Sequence, residues 1–400
     1  MASNNKQDNP TSLRIKIAAG FVIIFIGLLS LEATAWLAFT SKESLSRIAQ
    51  KILKPIEMKL DPYKEQATDV DGHWRLRPNY KASFDQVLAE KKEAKKWLGV
   101  KAIEQVARQH EASNGLVINA YGFRGPEIEN DHLCPRVLTI GDSVTFGLGS
   151  LSYPGFMRQY FNERQVGIEI VNAGVEGYAP RNALLEVEKY KTLKPEIVLI
   201  YLGWNAIYSL DRASYSNQAI SKIPWLLSRI GYVLERLFEG STNMATNTFN
   251  RDLVPNTSDI DIDFWSNVRP KFMSDLDELI KILKLNGSEV YLISLFGLFH
   301  EDIKPTDEAL SIGHLPLETN NPYVLAAMTS SYNRHLKQLA TSRNVEFIDL
   351  YQWGRKNLMP LENYFFDSVH FNAKGLEKVG NFLATQISTS KKLTNVYCKK

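Results

Sequence analysis

The stretch Val137-Leu-Thr-Ile-Gly-Asp-Ser-Val-Thr-Phe-Gly147 decides the fold of this chain. Its apolar start and the following Gly141-Asp142-Ser143 predict a buried strand that stops at a tight turn and leads into a helix. Open α/β sheets place their sites at the carboxyl ends of the strands. Because such a turn lifts one side chain above that edge, Ser143 is a candidate nucleophile.

Short apolar strands alternate with helices from Arg136 onwards, which predicts a parallel sheet covered by helices on both faces. The predicted strands are 136–140, 168–172, 196–202, 289–295 and 345–348. The predicted helices are 154–164, 181–192, 270–285, 322–343 and 373–388. Right-handed crossovers arrange these elements as a three-layer αβα sandwich with a five-stranded, flavodoxin-like sheet.

This α/β domain is expected to span residues 136–390, followed by a tail over 391–400. Residues 207–265 interrupt the rhythm and are interpreted as an insertion over the carboxyl edge of the sheet. They include an amphipathic stretch, 224–238, which we expect to pack against the domain. Covering the site and resting on a membrane are the alternatives for this stretch.

Residues 17–41 contain a single charge, Glu32, and as a helix they are long enough to span a bilayer. The tripeptide Ala33-Thr-Ala35 matches a signal-peptidase site, so a cleaved signal peptide is the alternative. Apolar residues continue over 36–39, which favours an uncleaved transmembrane anchor. The polar tail, 1–16, is short and the domain behind the anchor is long, so we expect a cytoplasmic tail and an extracytoplasmic domain.

Residues 42–135, between this anchor and the α/β domain, are expected to form a stalk and a helical amino-terminal extension. The stalk is predicted over 42–80, where charges are dense. A strongly charged helix is predicted over 83–109, and a cluster of turn residues follows over 119–126.

Composition excludes several classes of function. The chain has 47 basic and 44 acidic residues among 400, a net charge of +3, so nothing indicates a nucleic-acid partner. Its two cysteines, Cys134 and Cys398, allow one optional disulfide and no zinc site. The histidines have no metal-like spacing, and we expect neither a metal nor another cofactor.

Polar residues follow several of the predicted strands and therefore meet at one edge of the sheet. Gly174 follows the second strand, Asn205 the third, and Asp367 and His370 the fifth, while Ser143 follows the first. Taken singly, these residues fit a turn glycine, a helix cap or a packed histidine. Their common edge and their order favour a single site.

These segments resemble the conserved blocks of the SGNH (GDSL-type) hydrolases. The resemblance lies in Gly141-Asp-Ser-Val-Thr-Phe-Gly147, Asn172-Ala-Gly174, Gly203-Trp-Asn205 and Asp367-Ser-Val-His370, and it extends over about 136–388. The family's third block usually continues with Asp, where this chain has Ala206. That departure concerns local loop packing, since the replaced residue is not an oxyanion donor.

The resemblance and the chemistry of acyl transfer assign roles to these residues. Ser143 is the expected nucleophile, His370 its general base and Asp367 the acid that orients the imidazole. The resemblance implies three oxyanion donors: the backbone N–H groups of Ser143 and Gly174 and the side chain of Asn205. Asp142 is expected to hold the turn through its backbone amides.

Three further side chains are candidates for substrate binding. Trp204 and Tyr178 lie beside site residues in the sequence and are candidates for a sugar or acyl platform, with plain packing as the alternative. His300 follows the fourth strand and is a candidate contact with substrate, with surface placement as the alternative.

Taken together, the sequence predicts a membrane-anchored serine esterase of the extracytoplasmic side. The resemblance implies carbohydrate O-acetyl groups, other short acyl esters or lipids as substrates, and the anchor points to envelope carbohydrate. An O-acyltransferase with the same triad is the first alternative, because the acyl-enzyme is common to both reactions. A non-catalytic subunit of an envelope complex is the second, and the intact triad argues against it.

Overall fold

The computed structural model describes residues 61–70, 72–83, 115–129, 134–147, 151–209, 252–270, 272–316 and 318–394, with Gly27, Ser30 and Gln86. The predicted cytoplasmic tail and, apart from Gly27 and Ser30, the predicted anchor lie outside these residues. So do the amphipathic stretch 224–238 and nearly all of the predicted charged helix 83–109. Within the described part of the chain, no helix is long and apolar enough to cross a bilayer.

The region upstream of residue 136 is not the predicted stalk where the structure describes it. It forms two small antiparallel sheets, β1 (Lys64–Gln66) with β2 (Trp74–Leu76) and β3 (Lys81–Ala82) with β4 (Leu116–Val117). Apolar side chains of this region belong to the core of the α/β domain, namely Tyr63, Leu76, Leu116, Ile118, Phe123 and Ile128. The prediction failed because local charge density does not reveal that the few apolar side chains of this region are buried against segments distant in sequence.

The centre of the fold is a five-stranded parallel sheet, as predicted. Its strands are β5 (Arg136–Gly141), β6 (Glu169–Gly174), β7 (Ile197–Tyr201), β8 (Glu289–Ile293) and β9 (Glu346–Ile348), and they lie in the order β6-β5-β7-β8-β9. Their bounds agree with the predicted ones to within about two residues. All residues of β5 and β7 are buried, because helices cover both faces of the sheet, and this explains their continuous apolar runs.

Helices form the two outer layers, which confirms the three-layer arrangement. The helices are α1 (Ser143–Phe146), α2 (Tyr153–Glu163), α3 (Pro180–Leu185), α4 (Val187–Thr192), α5 (Trp204–Tyr208), α6 (Ile260–Ser266), α7 (Met273–Leu285), α8 (Asp307–Ile312), α9 (Pro322–Arg343), α10 (Leu350–Asn357), α11 (Ala373–Ile387) and α12 (Lys391–Thr394). Helices α2 and α11 pack together on one face, and α3, α7 and α9 pack in succession on the other.

One predicted helix, 181–192, is divided into α3 and α4 at Glu186. The backbone leaves the helical region there, with φ −93° and ψ 2°. The Glu186 carboxylate is buried and lies 2.9 Å from His73 Nε2 and 2.6 Å from Arg75 Nε. The break therefore brings a carboxylate to two basic side chains from far upstream, a long-range contact that helix periodicity does not reveal.

Candidate active site

The residues predicted to form a triad meet at the carboxyl edge of the sheet. Ser143 Oγ lies 2.7 Å from His370 Nε2, and His370 Nδ1 lies 2.7 Å from Asp367 Oδ2. Ser143 is the first residue of α1, directly after β5, and it is partly accessible. The His370 side chain is 26% exposed. The arrangement is an unbroken chain of hydrogen-bonding distances from a reachable hydroxyl to a buried carboxylate.

Two glycines allow the turn after β5 to pack against its neighbours. A Cβ at Gly141 would overlap Thr145 Oγ1, and one at Gly174 would overlap the backbone nitrogen of Phe146. Gly141 and Gly174 are partners in the parallel register of β5 and β6. Because neither residue has a side chain, α1 can start tightly above both strand ends and present Ser143 there.

Asp142 caps α1, which agrees with its predicted role in holding the turn. Its Oδ1 accepts a hydrogen bond of 3.0 Å from the Val144 N–H. The side chain is fully buried, and this burial raises the pKa of Asp142 to about 6, although the Val144 N–H and the charge of His370 act in the opposite direction. The cap fixes the backbone on which the candidate nucleophile is carried.

Asp367 is held so firmly that its orientation toward His370 is determined by the backbone. Its Oδ1 accepts the N–H groups of Val369 and His370, both at 2.8 Å, which leaves Oδ2 for His370 Nδ1. Burial acts to raise the pKa of Asp367, but the charges of His370 and His314 and the hydrogen bonds outweigh it and lower the pKa to about 2. The carboxylate is therefore ionised at neutral pH.

The Asp367 carboxylate changes the pKa of the His370 imidazole. Burial acts to lower the pKa of His370, but the Asp367 carboxylate outweighs burial, so the pKa lies above its ordinary value. The cation that forms when the imidazole accepts the serine proton is thus stabilised by its neighbour.

His314 supports the loop of the triad, a role that no sequence pattern indicated. Its backbone N–H donates to Ser368 Oγ at 2.7 Å, and its carbonyl accepts from Tyr208 OH at 2.9 Å and from Ser368 Oγ. The side chain is buried, which lowers the pKa of His314. These bonds tie the segment between Asp367 and His370 to α5.

The three predicted oxyanion donors differ in whether their hydrogens already have a hydrogen-bond acceptor. Asn205 Nδ2 donates one hydrogen to the Tyr178 carbonyl at 3.0 Å. The single hydrogen of the Gly174 N–H is directed to Asn172 Oδ1 at 2.9 Å. Among the residues that the structure describes, nothing accepts from the Ser143 N–H or from the second Nδ2 hydrogen of Asn205. These two hydrogens are available to an acceptor, whereas the hydrogen of the Gly174 N–H is already bonded to Asn172.

Two predicted platform residues are buried, and that prediction is corrected. Tyr178 is 1% exposed and Trp204 is 3% exposed. Tyr178 packs edge-on against Trp74, at 5.9 Å between ring centroids. Trp204 lies so close to Gly297 that a Cβ there would be 2.9 Å from its ring. Neither ring has a free face on which a sugar or acyl group can stack.

His300 is also buried, so neither the substrate contact nor the surface placement considered for it is correct. It is 1% exposed, its Nε2 lies 3.0 Å from the Gly297 carbonyl, and its ring packs 4.8 Å from that of Tyr351. Burial lowers its pKa to about 4, with the charge of Arg355 acting in the same direction. It is a neutral packing residue at physiological pH.

A serine, a histidine and an aspartate linked in this order at the carboxyl edge of a parallel sheet define a serine hydrolase of α/β architecture. The model of the GDSL-like lipase/acylhydrolase family matches residues 139–378, and the chain belongs to this family. The resemblance inferred from the sequence is thereby confirmed, and the protein is an ester hydrolase of the SGNH type.

Several solved structures are similar to this chain. A lipase/acylhydrolase from Enterococcus faecalis is 14% identical, with 63% of this chain and 95% of that chain covered and a TM-score of 0.37. An acetylxylan esterase from Geobacillus stearothermophilus is 17% identical, with coverages of 64% and 97% and a TM-score of 0.39. A putative GDSL-like lipase from Parabacteroides merdae is 16% identical, with coverages of 66% and 100% and a TM-score of 0.37. Comparison with curated proteins gives no match.

Proposed function

We propose that this ester hydrolase is anchored in the membrane by residues 17–41 and removes O-acetyl groups from envelope carbohydrate on the extracytoplasmic side. The observation that carries the hydrolytic chemistry is the chain of 2.7 Å distances from Ser143 through His370 to Asp367. The anchor, the side of the membrane and the substrate are the parts that this proposal adds.

The geometry supports a two-step reaction. Ser143 Oγ attacks the ester carbonyl while His370 Nε2 takes the hydroxyl proton, and the Ser143 N–H and the Asn205 amide stabilise the oxyanion. The C–O bond to the alcohol then breaks, and His370 gives the proton to the leaving oxygen. Water repeats the sequence on the acyl-enzyme and releases the carboxylic acid. Asp367 remains ionised throughout and holds the imidazole in the required tautomer.

Two features support the extracytoplasmic location. Residues 17–41 are a nearly uncharged stretch of bilayer length behind a short polar tail. Cys134 is disulfide-bonded, and Cys398 is the other cysteine of the sequence. Disulfides persist in oxidising compartments and are rare in the cytosol, so this bond favours a domain outside the cytoplasm.

Access to the triad is compatible with a polymeric substrate. Ser143 is partly accessible and the His370 side chain is 26% exposed, so the reacting atoms can be approached from solvent. An acetyl group carried on a long polysaccharide needs such an approach, because the bulk of the polymer has to stay outside. Hydrolysis of acyl esters, the chemistry of the family, includes an acetyl group as the acyl part.

Product analysis tests the proposal. Full-length protein in detergent is incubated with p-nitrophenyl esters of increasing chain length and with acetylated oligosaccharides, with and without an unacetylated sugar acceptor. We expect released acetate, preference for the acetyl ester and loss of both in Ser143→Ala. Ser342→Ala, which changes an exposed hydroxyl on α9, is the matched control. Acetate found on the acceptor sugar would instead identify an O-acyltransferase, and preference for long acyl chains would exclude the carbohydrate substrate.

A further inference from the structure

The loop over residues 175–178, which follows β6 at the site, is held by residues that precede the family-matched region. Tyr178 OH donates to the Trp74 carbonyl at 2.7 Å, and Trp74 Nε1 donates to the Glu176 carbonyl at 3.3 Å. Tyr63 OH donates to the Glu176 carboxylate, and Lys64 Nζ lies 3.1 Å from it. Residues 61–76, here called the amino-terminal hairpin, therefore fix both the backbone and the side chains of this loop.

The same loop holds the candidate oxyanion donor. The Tyr178 carbonyl accepts the Asn205 Nδ2–H at 3.0 Å, and this bond sets the rotation of the amide about its terminal torsion. The loop begins directly after Gly174, another predicted donor. A shift of the loop therefore changes the direction in which the remaining Nδ2–H of Asn205 points.

The hairpin is in turn fixed to two rigid parts of the domain. The ring of Tyr63 stacks on Phe146, the last residue of α1, with 5.7 Å between centroids and 17° between planes. At the other end, His73 and Arg75 reach the buried Glu186 between α3 and α4. The hairpin thus extends from α1, which carries Ser143, to α3 and α4, which follow β6. It can therefore hold the loop in a fixed position relative to Ser143.

We propose that the amino-terminal hairpin is a positioning element of the oxyanion hole, with Tyr63 and Tyr178 as its positioning residues. Through Glu176 and the Tyr178 ring it fixes the carbonyl that orients Asn205. An oxyanion donor acts only when it is placed within a fraction of an ångström, so the loop's position affects turnover more than substrate binding. The inference rests on the proposed removal of O-acetyl groups, and it adds a role for residues that precede the part of the chain matched by the family model.

A double-mutant cycle on the full chain tests the coupling. Tyr63→Phe and Tyr178→Phe each remove one hydroxyl and keep the ring, and each is combined with Asn205→Ala. The Tyr178 hydroxyl bonds a neutral carbonyl, and loss of such a bond corresponds to roughly a fivefold change in rate, whereas the Tyr63 hydroxyl bonds a carboxylate and its loss should have the larger effect. We expect each single variant to lower kcat by roughly threefold to tenfold with KM unchanged, and to have no further effect in the Asn205→Ala background.

Two rate measurements and one control variant distinguish failure of the positioning role from failure of the proposed function. Hydrolysis of p-nitrophenyl acetate measures turnover. The rate of Ser143 phosphonylation by an alkyl fluorophosphonate, read by intact mass, measures the same hole without an ester: the Oγ–P bond forms, fluoride leaves and His370 takes the proton. Tyr291→Phe, which removes a hydroxyl bond to Glu289 at the opposite end of the sheet, should leave both rates unchanged.

Phosphonylation that shows the coupling without any ester turnover would overturn the proposed function and support the positioning role. The positioning role itself would be overturned if the tyrosine substitutions lowered the rates equally in the wild-type and Asn205→Ala backgrounds. Unchanged rates in both tyrosine variants would overturn it as well. Thermal melts of each variant exclude misfolding as the cause of a rate loss.

Discussion

Replacing Asp367 by asparagine should change the tautomer of His370 while the fold stays intact. In the wild type, Asp367 Oδ1 accepts two backbone N–H groups at 2.8 Å and Oδ2 faces His370 Nδ1. In Asp367→Asn the amide oxygen must stay on the backbone N–H groups, so the NH₂ group faces Nδ1. Nδ1 must then accept, the imidazole proton moves to Nε2, and Nε2 can no longer take the proton of Ser143.

The size of the effect follows from two contributions. Turning the amide to its productive orientation sacrifices two hydrogen bonds to backbone donors, at about 1–1.5 kcal/mol each, which disfavours that orientation roughly 10²-fold. Loss of the charge-assisted bond to the imidazolium removes about 2–3 kcal/mol from the transition state, roughly another 10². The expected fall in kcat is therefore about 10⁴, the size typical of an asparagine at this position of a triad.

The pH profile supplies an independent check. His370 must be neutral to act as a base, so kcat/KM rises with pH through the pKa of His370. The Asp367 carboxylate raises that pKa above 6.5, and the wild-type midpoint should lie above pH 6.5. In Asp367→Asn burial remains and the opposing carboxylate is gone, so the midpoint should move to lower pH. The assay is p-nitrophenyl acetate hydrolysis from about pH 5 to about pH 9, a range that spans the histidine titration. A variant within about tenfold of the wild-type kcat, or with an unmoved midpoint, would refute the reasoning.

Four further outcomes are expected. Asn205→Ala should remove about 3 kcal/mol of transition-state stabilisation, so that kcat and kcat/KM fall together in steady-state kinetics. A lower melting point with unchanged kcat would instead make Asn205 a purely structural residue. Gly174→Ala should destabilise the fold by about 1–3 kcal/mol in urea titrations, because the new Cβ would overlap the Phe146 nitrogen; an unchanged midpoint would contradict this close packing. The pKa of Asp367 is about 2 in the folded protein and 3.8 for an ordinary aspartate, so its charge stabilises the fold above about pH 4. As the pH falls from about 4 through 2, the free energy of unfolding should therefore decrease by about 2 kcal/mol more in the wild type than in Asp367→Asn. Parallel acid titrations of the two proteins check this. The protein should fractionate with membranes and keep its amino-terminal residues, and amino-terminal sequencing that starts at Trp36 would indicate a cleaved signal peptide instead.

The sequence by itself determined the sheet and the order of the triad. Each strand is a short apolar run that is buried whatever the details of packing, so the pattern of β5 to β9 could be inferred locally. Parallel strands joined by right-handed crossovers bring their carboxyl ends to one edge. Ser143 follows the end of such a strand, and Asp367 and His370 directly precede the last long helix of the domain, so their meeting at this edge could be predicted.

Only the tertiary structure decided how the surroundings of the triad are built. The hairpin over residues 61–76 looked like a charged stalk, since its apolar residues are few and two of the carboxylates that pair with its charges, Glu176 and Glu186, are distant in sequence. Tyr178, Trp204 and His300 looked available to a substrate, and packing from other segments buries them. The bond from the Gly174 N–H to Asn172, which engages one of the three predicted oxyanion donors, depends on side-chain rotation that no periodic pattern encodes. Local hydrophobic spacing specifies which elements form, whereas contacts between distant segments specify which side chains remain accessible.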